Sequence, residues 1–294
     1  LRLGRRGARK DSMKLGSVSS LISVPADVDP IIGRIKRAKE LGLAVISIGF
    51  RENRDHAYMT SVAEAAQQHG IELRLGGGGR FGSANPEERK ADVARTIEHL
   101  LEVNRYAGIT FSSLANGPMS HNRWTADPPM DERIGIIAES LAAIGDGVAA
   151  AGITVGLENH CDYRGYECAA MLKQANRANV RAQLDTGNAF TVFEEPVECA
   201  RALAPWTVSV HLKDVKVTPL APAPWRGSRA ESAPLGGGQV DNVTICRLLA
   251  EASPDAAGLA LLVEPLSLGP DDDRDAFLRT SIAWAREHLA PFLT

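Results

Sequence analysis

The sequence predicts a single (β/α)8 barrel over residues 13–294, and three observations lead there. Strand-like and helix-like patterns alternate from Met13 to the end of the 294-residue chain, with no compositional break that would mark a linker. The two long polar or Pro/Gly-rich segments, 115–129 and 215–240, both follow a strand pattern and precede a helix pattern. Four strand patterns end on a side chain able to bind a metal or move a proton, and in this fold active sites form where strands end. The rival architecture, a doubly wound open sheet, would carry a Gly-rich dinucleotide fingerprint after the first strand. Residues 14–23 have none.

The elements follow in order. Residues 14–20 form the first strand. Asp29-Pro30 then supplies an N-cap and a proline at the first helical position; Ile31, Ile35 and Ala38 share one helical face, and Gly42 ends the helix. Residues 43–50 are strongly β. Residues 55–69 are helical, stop at Gly70, and lead to a third strand at 71–75 and the glycines at 76–79. Asn85-Pro86-Glu87-Glu88 opens a helix that runs to about 107, with a carboxylate at the third helical position as in a capping box. The fourth strand is 109–114. The connection 115–129 carries His121, Arg123 and Trp124, which read as a lid or as a contact between chains. Helices over 130–151, 165–178 and about 194–203 lead to strands over 154–158, 180–185 and 208–214. After the connection 215–240 come a helix at 241–252, a strand at 259–264 and a last helix at 271–289.

A formal net charge of −3 disfavours a nucleic-acid or anionic-membrane partner, which would select a clustered basic surface. No uninterrupted apolar run approaches the roughly 20 residues that cross a bilayer. Residues 1–12 carry Arg2, Arg5, Arg6, Arg9 and Lys10 without the apolar core of a signal peptide; they read as a disordered basic extension or as residues added ahead of a natural start at Met13, the alternative being a basic arm that contacts a partner. Cys161, Cys168, Cys199 and Cys246 have neither zinc-pair spacing nor the density of a secreted scaffold, which points to a reducing cytoplasm. Cys161 lies near the site developed below and reads as a bystander thiol.

In Thr154-Val155-Gly156-Leu157-Glu158, Val155 and Leu157 point one way and Glu158 the other. The same phase puts Asp185 at the end of 180–185, His211 after 208–210 and Glu264 after 259–263. Two Glu, one Asp and one His from four different strands make a hard-cation site if those strands are neighbours. Three carboxylates meeting without a cation would repel one another strongly. The donor set suits Mn²⁺ or Mg²⁺ best, and Co²⁺ or Zn²⁺ use the same ligands.

The stretches Gly156-Leu157-Glu158-Asn159-His160, Leu184-Asp185-Thr186-Gly187-Asn188, His211-Leu212-Lys213-Asp214 and Val263-Glu264-Pro265 resemble the xylose-isomerase-like sugar isomerase/epimerase superfamily. The loop Pro234-Leu235-Gly236-Gly237-Gly238-Gln239-Val240-Asp241 is similar to the family's Gly-rich approach to its last strand–helix unit, although relatives more often carry an acid where Gly237 stands. The resemblance implies a TIM barrel of that type, with Glu158, Asp185, His211 and Glu264 binding one divalent ion. It further implies that Glu158 and Glu264 serve as base and acid on opposite faces of a keto-sugar or related polyol ketone, through an enediolate.

His160 and Lys213 share strand phase with Glu158 and His211 and are candidates for contact with substrate. Asn188 stands where several relatives have a substrate-binding histidine, and Arg226 is a further candidate from the seventh connection. The glycines at 76–79 and 236–238 could present N–H groups to a phosphate or simply give flexible loops. By analogy a homo-oligomer, dimer or tetramer, is expected. Three alternatives share the barrel: a metal-dependent lyase or dehydratase of the inosose or dehydroshikimate type, an abasic-site endonuclease, and a non-catalytic sugar-binding barrel. The endonuclease is disfavoured because Asn188 replaces a required histidine and no Asp-x-His follows His211. Retention of all four ligand types argues against the binding barrel.

Overall fold

Period-two segments rich in Val, Ile and Leu become eight parallel strands that pair in a ring. They are β1 (Lys14–Val18), β2 (Val45–Ile48), β3 (Glu72–Leu75), β4 (Phe111–Asn116), β5 (Thr154–Glu158), β6 (Val180–Asp185), β7 (Thr207–Leu212) and β8 (Ala260–Val263). Each pairs with its sequence neighbours, and β8 pairs with β1. The β3–β4 contact, Leu75 opposite Ser112, closes the ring. The computed structural model describes residues 12–50, 55–79, 81–116, 123, 128–223 and 226–293. The basic stretch 1–11, His121 and Trp124 lie outside the described residues.

Among the described residues eight α-helices cover the barrel: α1 (Pro30–Glu40), α2 (His56–His69), α3 (Pro86–Ala107), α4 (Met130–Val148), α5 (Gly165–Ala175), α6 (Pro196–Leu203), α7 (Asn242–Ala252) and α8 (Arg274–His288). The expected caps operate. Asp29 accepts from the N–H groups of Ile31 and Ile32, and Asn85 from those of Glu87 and Glu88. The helix expected to reach 178 stops at Ala175, because Asn176 turns left-handed at φ 49°. The segment Met130–Ala151 is, contrary to the expectation from continuous runs, long and apolar enough by composition to cross a membrane. In this fold it packs against α3 and α5 and buries Ile137, Leu141, Ile144 and Val148, as a core helix does.

The long Pro/Gly-rich connection expected over 215–240 contains a hairpin whose first strand begins at Asp214. Asp214–Pro219 pairs antiparallel with Ser228–Ala233, Asp214 facing Ala233 and Pro219 facing Ser228. Its second strand is exposed for most of its length, so it carries no apolar alternation to read. The backbone ladder supports it, together with Gln239, whose side-chain amide bonds both the N–H and the carbonyl of Val217 at 2.8 and 3.3 Å.

Inside the ring, the amino ends of the strands form a charged floor. Glu72 accepts from Lys14 Nζ at 2.6 Å and from Arg74 Nε at 2.9 Å. The Arg74 guanidinium also donates to the carbonyls of Val208 and Gly258 and lies 4.7 Å above the centre of the Phe111 ring. Higher up, Gly156 leaves space that no other residue could: a Cβ there would come within 2.8 Å of Phe111 Cζ and 3.2 Å of Gln183 Cβ. Above that layer the strands end at the mouth.

Candidate metal centre

β5 to β8 are four consecutive strands, and each delivers one of the expected ligands to the mouth. Glu158 ends β5, Asp185 ends β6 and lies opposite His211 of β7, and Glu264 follows β8 directly. One ligand atom from each of the four lies within 4.8 Å of all the others. His211 Nδ1 is 3.3 Å from Glu158 Oε1, 2.9 Å from Glu264 Oε2 and 3.9 Å from Asp185 Oδ2. Asp185, Glu158 and His211 are buried, and Glu264 is half-buried.

A polar scaffold fixes these side chains. Asp185 Oδ1 accepts from the N–H groups of Gly187 and Asn188, both at 2.9 Å, which leaves Oδ2 aimed at the cluster. Asn159, the residue after Glu158, clamps the Asp185 backbone: its Nδ2 donates to the Asp185 carbonyl at 2.8 Å and its Oδ1 accepts from the Asp185 N–H at 2.7 Å. Thr186 repeats the device one strand on. Its hydroxyl accepts from the Lys213 N–H and donates to the Lys213 carbonyl, which Asn242 Nδ2 also reaches. The Asp214 carboxylate accepts from the N–H groups of Val215, Gly236, Gly238 and Val240 and so pins the Gly-rich loop. None of these roles was assigned from the sequence. The one signal available was adjacency to a ligand inside a recognisable stretch.

Burial alone would raise the Glu158 carboxyl, but the neighbouring His211 outweighs it and the net direction is down. Glu264 behaves likewise, held well below the usual carboxylate range by His211 and Lys213. For Asp185 burial wins and the direction is up, with Lys213 offsetting only part. Burial would lower the His211 imidazole, yet Glu264 and Glu158 carry it well above its ordinary value. The cluster thus draws positive charge inward. The residues fit a divalent cation: three carboxylates with one imidazole are hard donors, and Asp185 Oδ2 and Glu264 Oε2 are buried oxygens that face the Lys213 ammonium and the His211 ring with no backbone donor among the described residues.

The other sequence-predicted residues divide. Lys213 is buried at the cluster, its Nζ 2.6 Å from Asp185 Oδ2, 3.1 Å from Glu264 Oε2 and 3.2 Å from Asn188 Oδ1. Asn188 is buried beside it, and its Nδ2 has no partner among the described residues. Cys161 Sγ reaches Asn188 Oδ1 at 4.0 Å, while burial raises its thiol. The carbonyl of His160 accepts from the N–H groups of Asp162 and Tyr163; its half-buried ring makes no hydrogen bond among the described residues. Arg226 is exposed at the hairpin tip and forms no ion pair with the cluster. Arg123 forms a bidentate pair with Glu167 on the first turn of α5, at 2.8 and 2.9 Å. The two glycine stretches are engaged by the chain itself. Residues 78–79 pair with the end of β4, and the N–H groups of Gly236 and Gly238 go to Asp214 rather than to a phosphate.

Comparison with known proteins agrees with this architecture. YihM of Escherichia coli (strain K12) is 20% identical over 175 residues, which cover 55% of this chain and 53% of YihM, so the match spans little more than half of that protein. D-psicose 3-epimerase from Clostridium cellulolyticum H10, crystallised with D-tagatose, superposes with a TM-score of 0.73 at 17% identity over 94% of this chain and 99% of its own. The 3-keto-D-glucoside 4-epimerase YcjR of E. coli gives 0.71 at 18% over 94% and 99%. The IolI protein, whose crystal structure holds a zinc atom, gives 0.72 at 16% over 96% and 100%. At such identities these likenesses speak for the fold. A family model described as xylose isomerase-like TIM barrel matches residues 35–288, and the chain belongs to that family.

Proposed function

We propose that this protein is a divalent-metal-dependent isomerase or epimerase of a keto-sugar or related polyol ketone, working through an enediolate. The observation that carries the reading is the convergence of Glu158, Asp185, His211 and Glu264, from four consecutive strands, on one point of the barrel mouth. The likeness in fold to two sugar epimerases supports the substrate class. A divalent ion held by those four side chains, Mn²⁺ or Mg²⁺ by its donor set, supplies Lewis-acid polarisation of the substrate carbonyl and offsets the negative charge that develops on the enediolate oxygens.

The chain's own residues do the rest. Glu158 and Glu264 come from the two ends of the β5–β8 arc, with His211 Nδ1 between their carboxylates. One carboxylate takes the proton from the carbon beside the carbonyl, and the other returns a proton to the opposite face. Asn188 Nδ2, a buried donor with no partner among the described residues, and the Lys213 ammonium orient substrate oxygens. The floor built on Arg74 closes the barrel from below, so substrate and water enter from the mouth. In this reading the enzyme is a cytoplasmic homo-oligomer whose four cysteines work as free thiols.

The test is a screen of ketohexoses, ketopentoses and inososes in D₂O with added Mn²⁺ or Mg²⁺, read by NMR. Deuterium entering the carbon next to the carbonyl, abolished by chelation, is the expected result. No exchange with any ketone by metal-loaded protein would reject the proposal. Loss of water with an absorbing enone would move it to the dehydratase branch.

A further inference from the structure

Lys213, the residue just after β7, follows His211 by two residues, and both side chains enter the same site. A buried ammonium is expensive unless it is paired, and this one is 5% exposed. Its partners are Asp185 Oδ2 at 2.6 Å, Glu264 Oε2 at 3.1 Å and Asn188 Oδ1 at 3.2 Å. The first two are the oxygens left over once the scaffold is satisfied. Asp185 Oδ1 is committed to two backbone N–H groups, which leaves Oδ2 to the ammonium. The ammonium therefore addresses the same oxygens that a divalent ion would use.

We propose that Lys213 is a tethered counter-cation of the metal centre, competing with the divalent ion for Asp185 and Glu264 and so setting how tightly that ion is held. The inference rests on the metal-site reading above. It follows from charge: the ammonium neutralises part of a three-carboxylate cluster, which steadies the fold when the ion is withdrawn, and it repels the ion when the ion arrives. Thr186 and Asn242 hold the Lys213 backbone, so the flexible four-carbon stem is the part that can yield. Asn188 offers a neutral acceptor beside the carboxylates for the displaced head group.

The experiment compares wild type, Lys213→Met and Lys213→Gln by calorimetric titration with Mn²⁺ and by thermal melting with chelator or with saturating Mn²⁺. Both variants should bind Mn²⁺ about tenfold or more tightly than wild type, because a like charge has left the site. With chelator both should melt below wild type, and the gap should close when Mn²⁺ is saturating. Binding no tighter than wild type, or equal melting with chelator, overturns the proposal. So does a Lys213→Gln protein that behaves as wild type, since hydrogen bonding rather than charge would then be at work. A variant folding neither with nor without Mn²⁺ also overturns it, because the loaded site should dispense with the ammonium. Wild type that binds no divalent ion sinks the metal-dependent function itself, a distinct result.

Discussion

The two ends of this barrel treat buried charge in opposite ways. At the floor one carboxylate, Glu72, faces two cations, Lys14 and Arg74, and the guanidinium spends its other donors on the carbonyls of Val208 and Gly258. At the mouth three carboxylates share one ammonium and one imidazole. The floor is complete in itself. The mouth is complete only with additional positive charge. The floor charges stand on β1 and β3 and the mouth cluster on β5 to β8, so the two ends draw on different strands of one ring. The floor serves stability, and under the proposed function the mouth is left under-compensated for its cation.

Mutations should separate the two ends, and the largest effect belongs to the mouth. Asp185→Asn should abolish measurable Mn²⁺ binding in a calorimetric titration and lower isotope exchange by about a thousandfold or more, the scale of several kcal/mol of lost charge stabilisation. Arg74→Met should do the reverse. It leaves a half-buried carboxylate with Lys14 alone and two carbonyls without their guanidinium, and urea unfolding should show a loss of about 1–3 kcal/mol while the affinity for Mn²⁺ stays within error. Asn159→Ala tests the link between scaffold and ligand. It frees both backbone groups of Asp185 and should cost about 1–3 kcal/mol of stability. Its Mn²⁺ affinity should fall by about 10–100-fold, as when the support of a ligand is lost.

The smallest effect concerns acid sensitivity. Burial would raise the Glu72 carboxyl, but Arg74 and Lys14 together bring it below its ordinary value. A group depressed in the folded state adds stability above its unfolded pKa, about 4.3, and that stability is lost as pH falls through the folded value. Melting curves between neutral pH and about pH 3 should therefore fall less steeply for Glu72→Gln than for wild type. Glu72 is about a third exposed, so solvent screens the effect. Equal slopes would mean that the floor pair contributes nothing to acid unfolding.

What could be read from the chain follows the same division. The phase of Glu158, Asp185, His211 and Glu264 against their apolar neighbours was enough to place them inward at strand ends, because a two-residue period fixes the face without knowledge of any partner. The barrel followed from alternation and from where the long connections fell. The clamps made by Asn159 and Thr186 were not legible, since each acts on the next strand, 26 or 27 residues away, and a single sequence holds no trace of that register. The Gly-rich loop shows the limit most clearly. Its N–H groups do bind an anion, but that anion is Asp214 of the same chain, a choice only the folded geometry makes. The hairpin after β7 stayed hidden because its exposed second strand has no buried face to impose a pattern.

The central claim is that four side chains, distant in sequence, hold one cation. A crystal grown with Mn²⁺ and measured for anomalous scattering tests it most directly. The account predicts a single strong peak at the barrel mouth with one atom each of Glu158, Asp185, His211 and Glu264 at about 2.0–2.6 Å. A peak ligated by other residues, or no peak at saturating Mn²⁺, would contradict it.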